Sequence, residues 1–174
     1  ITGNTTNSNL AYGIYLYSSS GNSLEQNTVS LNVQFRQDMQ TYGVCLQSGS
    51  NNTLSGNTIS NNSVGLKTIS SPGNSIHYND IFANTANGLE SNVNLDATNN
   101  YWGSKHGPKP YGSGNGYLGP VTVRPWSKVP FTQAGAAYQA TLGMDDYCGF
   151  CGDPVNMSTG AFVYAHTDIK VPAK

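Results

Sequence analysis

Cutting a polysaccharide takes two carboxylates on one face, and holding a metal takes clustered nitrogen and sulfur donors. The residue types that could do either job are few in this sequence and widely spread. The nearest approach to a reactive motif is Tyr147-Cys148-Gly149-Phe150-Cys151-Gly152. Cys148 and Cys151 could close a local disulfide, share a metal, or do redox chemistry. A zinc site needs two further ligands, and no second Cys-x-x-Cys exists. Thioredoxin-like chemistry needs the motif to open a helix, and Gly149, Gly152 and Pro154 oppose one. A structural disulfide is the first reading, and free thiols are the second. His77, His106 and His166 show no metal-ligand spacing. No Gly-x-Ser-x-Gly elbow or phosphate-binding glycine loop occurs. The expectation is no catalytic residue, no metal and no cofactor.

The elements that would position such groups come from an internal repeat. Gly13-Ile14, Leu16, Asn22, Leu24, Asn27, Val29 and Asn32 recur as Gly43-Val44, Leu46, Asn52, Leu54, Asn57, Ile59 and Asn62. They recur again as Gly65-Leu66, Thr68, Asn74, Ile76, Asn79, Ile81 and Asn84, and Gly88-Leu89 opens another copy. The longer first spacing reflects an insertion at Val33–Tyr42. A coil of this length suits three short strands separated by bends, with alternate apolar residues facing inward. Coils then stack in parallel about 4.8 Å apart. The columns Asn22/Asn52/Asn74, Asn27/Asn57/Asn79 and Asn32/Asn62/Asn84 fall at the bends. Asn tolerates the left-handed conformation there, its amide can bond the backbone, and stacked amides can bond one another.

In that register Glu25 stacks over Ser55 and His77, and Glu90 over Lys67, Cys45 and Tyr15. No two of the repeat's acids, Glu25, Asp38, Asp80, Glu90 and Asp96, share a column on adjacent coils. His77 should point outward. Cys45 follows the inward Val44, so it too should face outward, as a candidate intermolecular thiol. Tyr15 and Tyr17 face outward, but Cys45/Gln47 and Lys67/Ile69 follow them, so no aromatic stripe persists.

The pattern resembles the parallel β-helix repeat family, which includes secreted carbohydrate-binding or carbohydrate-processing β-helices and the NosD-like periplasmic proteins. The resemblance covers roughly residues 1–103. It implies an all-β, right-handed parallel β-helix of about five coils. Asn99-Asn100-Tyr101-Trp102-Gly103, a Gly/Pro-rich loop and Val121-Thr122-Val123-Arg124-Pro125-Trp126 look like the closing coil of such a protein, with both tryptophans packing that end. The domain reading is 1–126 for the β-helix, 127–151 for a linker carrying the Cys-x-x-Cys, and 152–174 for an extended tail.

Gly152-Asp153-Pro154-Val155-Asn156-Met157-Ser158-Thr159-Gly160, with His166-Thr167-Asp168 after it, resembles the opening of the RHS/YD-repeat module. That resemblance implies a larger surface or secreted protein, including a spacer of a toxin-delivery protein. Within the tail, Ala161, Val163, Ala165, Thr167, Ile169 and Val171 alternate with larger or polar residues, the signature of an extended strand. A lone strand must pair within its own subunit or add to a sheet edge elsewhere.

Composition bounds the rest. Charged residues are 10% and the net charge is −1, which gives no electrostatic footprint for nucleic acid. No apolar run approaches the ~20 residues that span a bilayer. Ile1-Thr2-Gly3-Asn4 has neither the basic head nor the apolar stretch of a signal peptide, so the sequence reads as cytosolic or as a mature or cut piece of something larger, and the close Cys-x-x-Cys without a redox-enzyme context fits an exported protein. Four Asn-x-Ser/Thr triplets, at Asn4, Asn51, Asn61 and Asn156, match the glycosylation pattern, as chance allows in so Asn-rich a repeat. The expected function is non-enzymatic: a structural component of an extracellular or cell-surface protein. Its partners are itself, in a head-to-tail filament with strand donation by the tail, or the remainder of a larger protein. A carbohydrate-binding or carbohydrate-processing β-helix is the alternative.

Overall fold

Short Val-, Ile-, Leu- and Thr-rich segments, each ended by Asn, Gly or Ser, cannot make a sheet alone, so each must pair with its equivalent in the next copy. The computed structural model describes residues 1–33, 41–131, 155–156 and 161–162. Among these, no helix occurs, and the strands form three parallel sheets that run the length of the repeat. The first sheet stacks β1 (Thr5–Asn7), β4 (Thr28–Ser30), β7 (Thr58–Ser60) and β10 (Asp80–Phe82). The second stacks β2 (Tyr12–Tyr17), β5 (Tyr42–Gln47), β8 (Val64–Ile69), β11 (Leu89–Ser91) and β13 (Tyr117–Leu118). The third stacks β3 (Ser23–Glu25), β6 (Thr53–Ser55), β9 (Ser75–Ile76), β12 (Leu95–Asp96) and β14 (Val121–Thr122). This is the parallel β-helix expected from the repeat. The register matches the sequence columns: Ile14 stands opposite Val44 and Val44 opposite Leu66, while Leu24 stands opposite Leu54.

The inner faces of the three sheets enclose one continuous core. Leu24, Leu54, Ile76, Val29, Ile59, Ile81, Val44, Leu66 and Leu89 are all buried. One inner column turns polar without leaving a group unpaired, since the Thr68 hydroxyl bonds Ser91 Oγ at 2.6 Å, and Ser91 Oγ donates to the Val93 carbonyl. Trp102 is fully buried and closes the core, with Trp126 packed against it, as the closing-coil reading expects. Two buried polar atoms, Thr6 Oγ1 and Trp102 Nε1, have no partner among the described residues.

The bends differ from expectation in one respect. The left-handed residue is not the ladder asparagine but the one before it. Gln26, Leu31, Asn51, Asn61, Tyr78, Ala83 and Asn99 have positive φ and precede Asn27, Asn32, Asn52, Asn62, Asn79, Asn84 and Asn100. Gly21, Gly56 and Gly73 do the same before Asn22, Asn57 and Asn74. The left-handed step bends the chain from one sheet into the next, and the following side chain hydrogen-bonds along the stack of coils.

The column Gly13, Gly43, Gly65 and Gly88 has a separate cause. A Cβ on Gly43 would stand 2.6 Å from the Gly65 carbonyl oxygen and 2.7 Å from Asn62 Nδ2. A side chain there would displace both the sheet and the asparagine ladder.

The chain divides into two compact units, Ile1–Gln133 and Ala134–Lys174. In the second, β15 (Val155–Asn156) pairs antiparallel with β16 (Ala161–Phe162), Val155 opposite Phe162. The start of the alternating segment therefore pairs within its own chain. Its other positions, Val163, Ala165, Thr167, Ile169 and Val171, lie outside the described residues, as do Cys148, Cys151 and His166.

Candidate functional site

The dominant arrangement of polar groups is the asparagine ladder, and it has a direction. Asn27 donates from its backbone N and from Nδ2 to Asn57 Oδ1, both at 2.9 Å. Asn57 does the same to Asn79 Oδ1, at 3.0 and 2.9 Å, and Asn79 to Asn100 Oδ1, at 2.8 and 3.1 Å. A second column runs Asn9, Asn32, Asn62, Asn84, Asn115 with the same paired donation. The third column runs Asn22, Asn52, Asn74 and ends there, since with Asp96 opposite Ser75 the next coil carries Leu95 in that place. The columns read from sequence are thus assembled as expected. Asn4 and Asn9 open the first two columns, as their sequence match to Asn27 and Asn32 expects, and Asn100 and Asn115 extend those columns from outside the residues first singled out. For Asn100, 21 residues after Asn79, spacing was a usable signal. For Asn115, 31 residues after Asn84 and beyond the Gly/Pro loop, it was not.

Every ladder bond points from an earlier coil to a later one. At the later end the last amides turn back: Asn100 Nδ2 donates to the Ile76 carbonyl at 2.6 Å, and Asn115 Nδ2 to the Asn84 carbonyl at 2.8 Å. At the earlier end Asn4, Asn9 and Asn22 each give donors onward, but no donor among the described residues reaches their Oδ1 atoms. β1 and β2 are edge strands at that same end.

The carboxylates Glu25, Asp80, Glu90 and Asp96 stand in separate places, none opposite another in the strand pairs. Glu90 is buried and satisfied, with Lys67 Nζ at 2.8 Å and Asn87 Nδ2 at 2.9 Å. Glu25 stands opposite Ser55 and Asp96 opposite Ser75. Asp80, opposite Thr58, is buried and accepts the Phe131 amide at 2.6 Å. No carboxylate faces another in these pairs, so the ladder register offers no acid/base couple. His77 is half-buried, its Nδ1–H donating to the Thr98 carbonyl at 2.9 Å, with Asp96 Oδ2 3.8 Å from Nε2. Among the described residues, no three His, Cys, Asp or Glu side chains stand together.

Cys45 corrects the sequence reading. It stands in the column Tyr15, Cys45, Lys67, Glu90 and outside the inner core, as expected, yet it is fully buried. A short side chain between longer ones on both adjoining coils is covered by them. Burial pushes the thiol up to about 11, against a smaller opposing pull from Lys67. Burial removes the exposure on which the intermolecular-thiol reading rested, and a raised thiol is disfavoured as a nucleophile. Around it lies a cluster that the column reading missed. Tyr12 stacks on Tyr15 with ring centroids 4.5 Å apart, Tyr12 on Tyr42 at 5.8 Å, and Tyr17 flanks Tyr15 at 6.1 Å. The usable signal was Tyr preceding the column glycine in both Tyr12-Gly13 and Tyr42-Gly43.

Over residues 1–120 the sequence matches the family described as periplasmic copper-binding protein (NosD). The match does not reach the segment Gly152–Pro172 that resembles an RHS opening. No curated protein matches the chain, and no solved structure does.

Proposed function

The chain belongs to the NosD family of β-helical proteins, and from that premise we propose that it is a non-enzymatic structural module of an exported protein, built to stack end to end. The observation that carries this reading is the polarity of the ladder. Each coil turns its ladder Oδ1 atoms toward the coil before it, as Asn57 does toward Asn27 and Asn62 toward Asn32, so the pattern offers acceptors to any further coil of the same kind. An edge strand with unpaired backbone groups is a template for a further strand. A second copy that laid a strand against an outermost coil and gave amide donors to its ladder acceptors would continue the lattice. Repeated contacts of this heterologous kind give a filament. The alternating positions that follow Phe162, from Val163 to Val171, are the sequence element suited to supply the strand.

The family description names copper. Copper sites gather several thiolate, thioether or imidazole donors. Among the described residues Cys45 is covered, His77 is committed to Thr98, His106 joins no cluster of three such donors, and no methionine occurs. The described part of the β-helix does not fit a copper centre, and the reading takes no step through one. Export agrees with the family's periplasmic description.

Sedimentation and electron microscopy of the intact chain over a range of concentrations test the reading. Fibres, or association that rises with concentration and is lost in Asn9→Ala/Asn22→Ala with the fold retained, support it. Monomers alone at the highest concentration reached would sink it.

A further inference from the structure

We propose that the cleft between the third bend of the β-helix and the closing loop binds a saccharide that carries a carboxylate. The cleft has a volume of about 760 Å³, and its walls come from Phe82–Asn87, Tyr101–Gly103, Lys109–Pro110, Ser113–Tyr117 and Pro130. Small-molecule sites run to roughly 300–1,000 Å³ and combine apolar walls with a few placed polar groups. Here Phe82, Tyr101 and Tyr117 offer half-buried aromatic surface, the kind that packs against the C–H face of a sugar ring. Asn87 Oδ1 and the Ser113 hydroxyl offer hydroxyl-matching partners, and Lys109 offers the one charge in the lining.

The cleft is held in shape before any ligand arrives. The closing loop is tied to the fourth coil through Gly88 N to the Gly116 carbonyl at 2.8 Å and Asn84 N to Asn115 Oδ1 at 2.8 Å. Asn115 N also bonds the Trp102 carbonyl at 2.7 Å. Gly103 and Gly114 bring backbone so close to Phe82 and Trp102 that a Cβ on either would collide.

Charge selects the ligand class. No Asp or Glu lines the cleft. Between residues 97 and 131 the sequence holds Lys105, Lys109, Arg124 and Lys128 and no acid. Among the described residues none of the four has a carboxylate within ion-pair distance, whereas Lys67, in the coils, is paired with Glu90. One ammonium suits one carboxylate better than a phosphate chain. Aromatic walls with hydroxyl partners suit a ring of hydroxyls. A hexuronic acid unit meets both demands.

This inference is independent of end-to-end stacking. Its test is titration calorimetry of the intact chain with a galacturonate trimer and with a neutral maltose-series trimer, at about 0.15 M salt to screen loose attraction. The acidic trimer is expected to bind and the neutral one to bind about tenfold more weakly, with Lys109→Gln removing that difference and Lys128→Gln leaving it. Lys109 is exposed, so its replacement leaves the fold intact. No heat with the acidic trimer, equal binding of both trimers, or an equal loss in the two lysine variants would each overturn it.

Discussion

Replacing Asn57 interrogates the ladder at its centre. Asn57 is 3% exposed, and its side chain makes five hydrogen bonds. Oδ1 accepts from Asn27 N and Nδ2, and Nδ2 donates to Asn79 Oδ1, the Leu24 carbonyl and the Ser55 carbonyl. In Asn57→Ala the Asn27 amide N–H loses its acceptor and the Leu24 carbonyl its 2.8 Å side-chain donor. Asn27 Nδ2 keeps the Ile1 carbonyl, and Asn79 Oδ1 keeps the Asn57 backbone N–H. Two buried groups left short at about 1–3 kcal/mol each give a loss of roughly 2–6 kcal/mol. Asn4, exposed and with no donor on its Oδ1 among the described residues, should cost under about 1 kcal/mol on the same change. Asn57→Asp sharpens the test. Its second oxygen would replace Nδ2 and face the Asn79 oxygen at 2.9 Å and the Leu24 oxygen at 2.8 Å. The charged form is therefore disfavoured and the carboxyl is raised in the fold, so stability is fully present below the unfolded value of about 4 and lost as pH rises through the folded one. Urea unfolding of each variant, followed by tryptophan fluorescence at neutral and acid pH, measures this. Equal losses for Asn57→Ala and Asn4→Ala, or an Asn57→Asp variant whose deficit relative to the parent does not shrink in acid, would refute the reasoning.

Other outcomes follow from the same geometry. Gly43→Ala places a methyl against the Gly65 carbonyl and should cost about 2–3 kcal/mol in urea unfolding, while Gly21→Ala, with open space around it, should cost only the ~1 kcal/mol of its left-handed φ. Ala83→Gly, at φ 54°, should stabilise by about 1 kcal/mol in the same assay. Cys45 is expected to resist a thiol-labelling reagent at pH 8 until the chain is unfolded. Its thiol is raised in the fold from 9.0 to about 11, so its contribution is complete below pH 9 and lost between 9 and 11. Tyr15 and Tyr42 are raised by burial as well, so alkaline loss persists in Cys45→Val, but the part between pH 9 and 10 should shrink on pH-dependent unfolding curves.

The coil was legible because it repeats. Gly13-Ile14, Gly43-Val44 and Gly65-Leu66 mark the same step of each coil, and parallel pairing forces like against like, so a column written in sequence is a column in space. The single placement of Glu25, Asp96 and Glu90 followed from that same register. What the columns could not carry was sideways packing. Alternation placed Cys45 on the outer face correctly, but its burial depends on how far longer side chains on adjoining coils reach. The stack of Tyr12, Tyr15 and Tyr42 likewise depends on ring rotamers across two coils. Nor could spacing show that the left-handed residue stands just before each ladder asparagine, because Gln, Leu, Tyr, Ala, Asn and Gly all serve there. The closing loop is the extreme case. Asn115 completes the Asn84 column and Lys109 joins the cleft wall only after a non-repeating Gly/Pro segment has folded back onto the coils. Sequence alone determined what recurs, because hydrogen-bonded stacking copies one coil onto the next. Tertiary structure decided what occurs once, because a unique contact leaves no period to read.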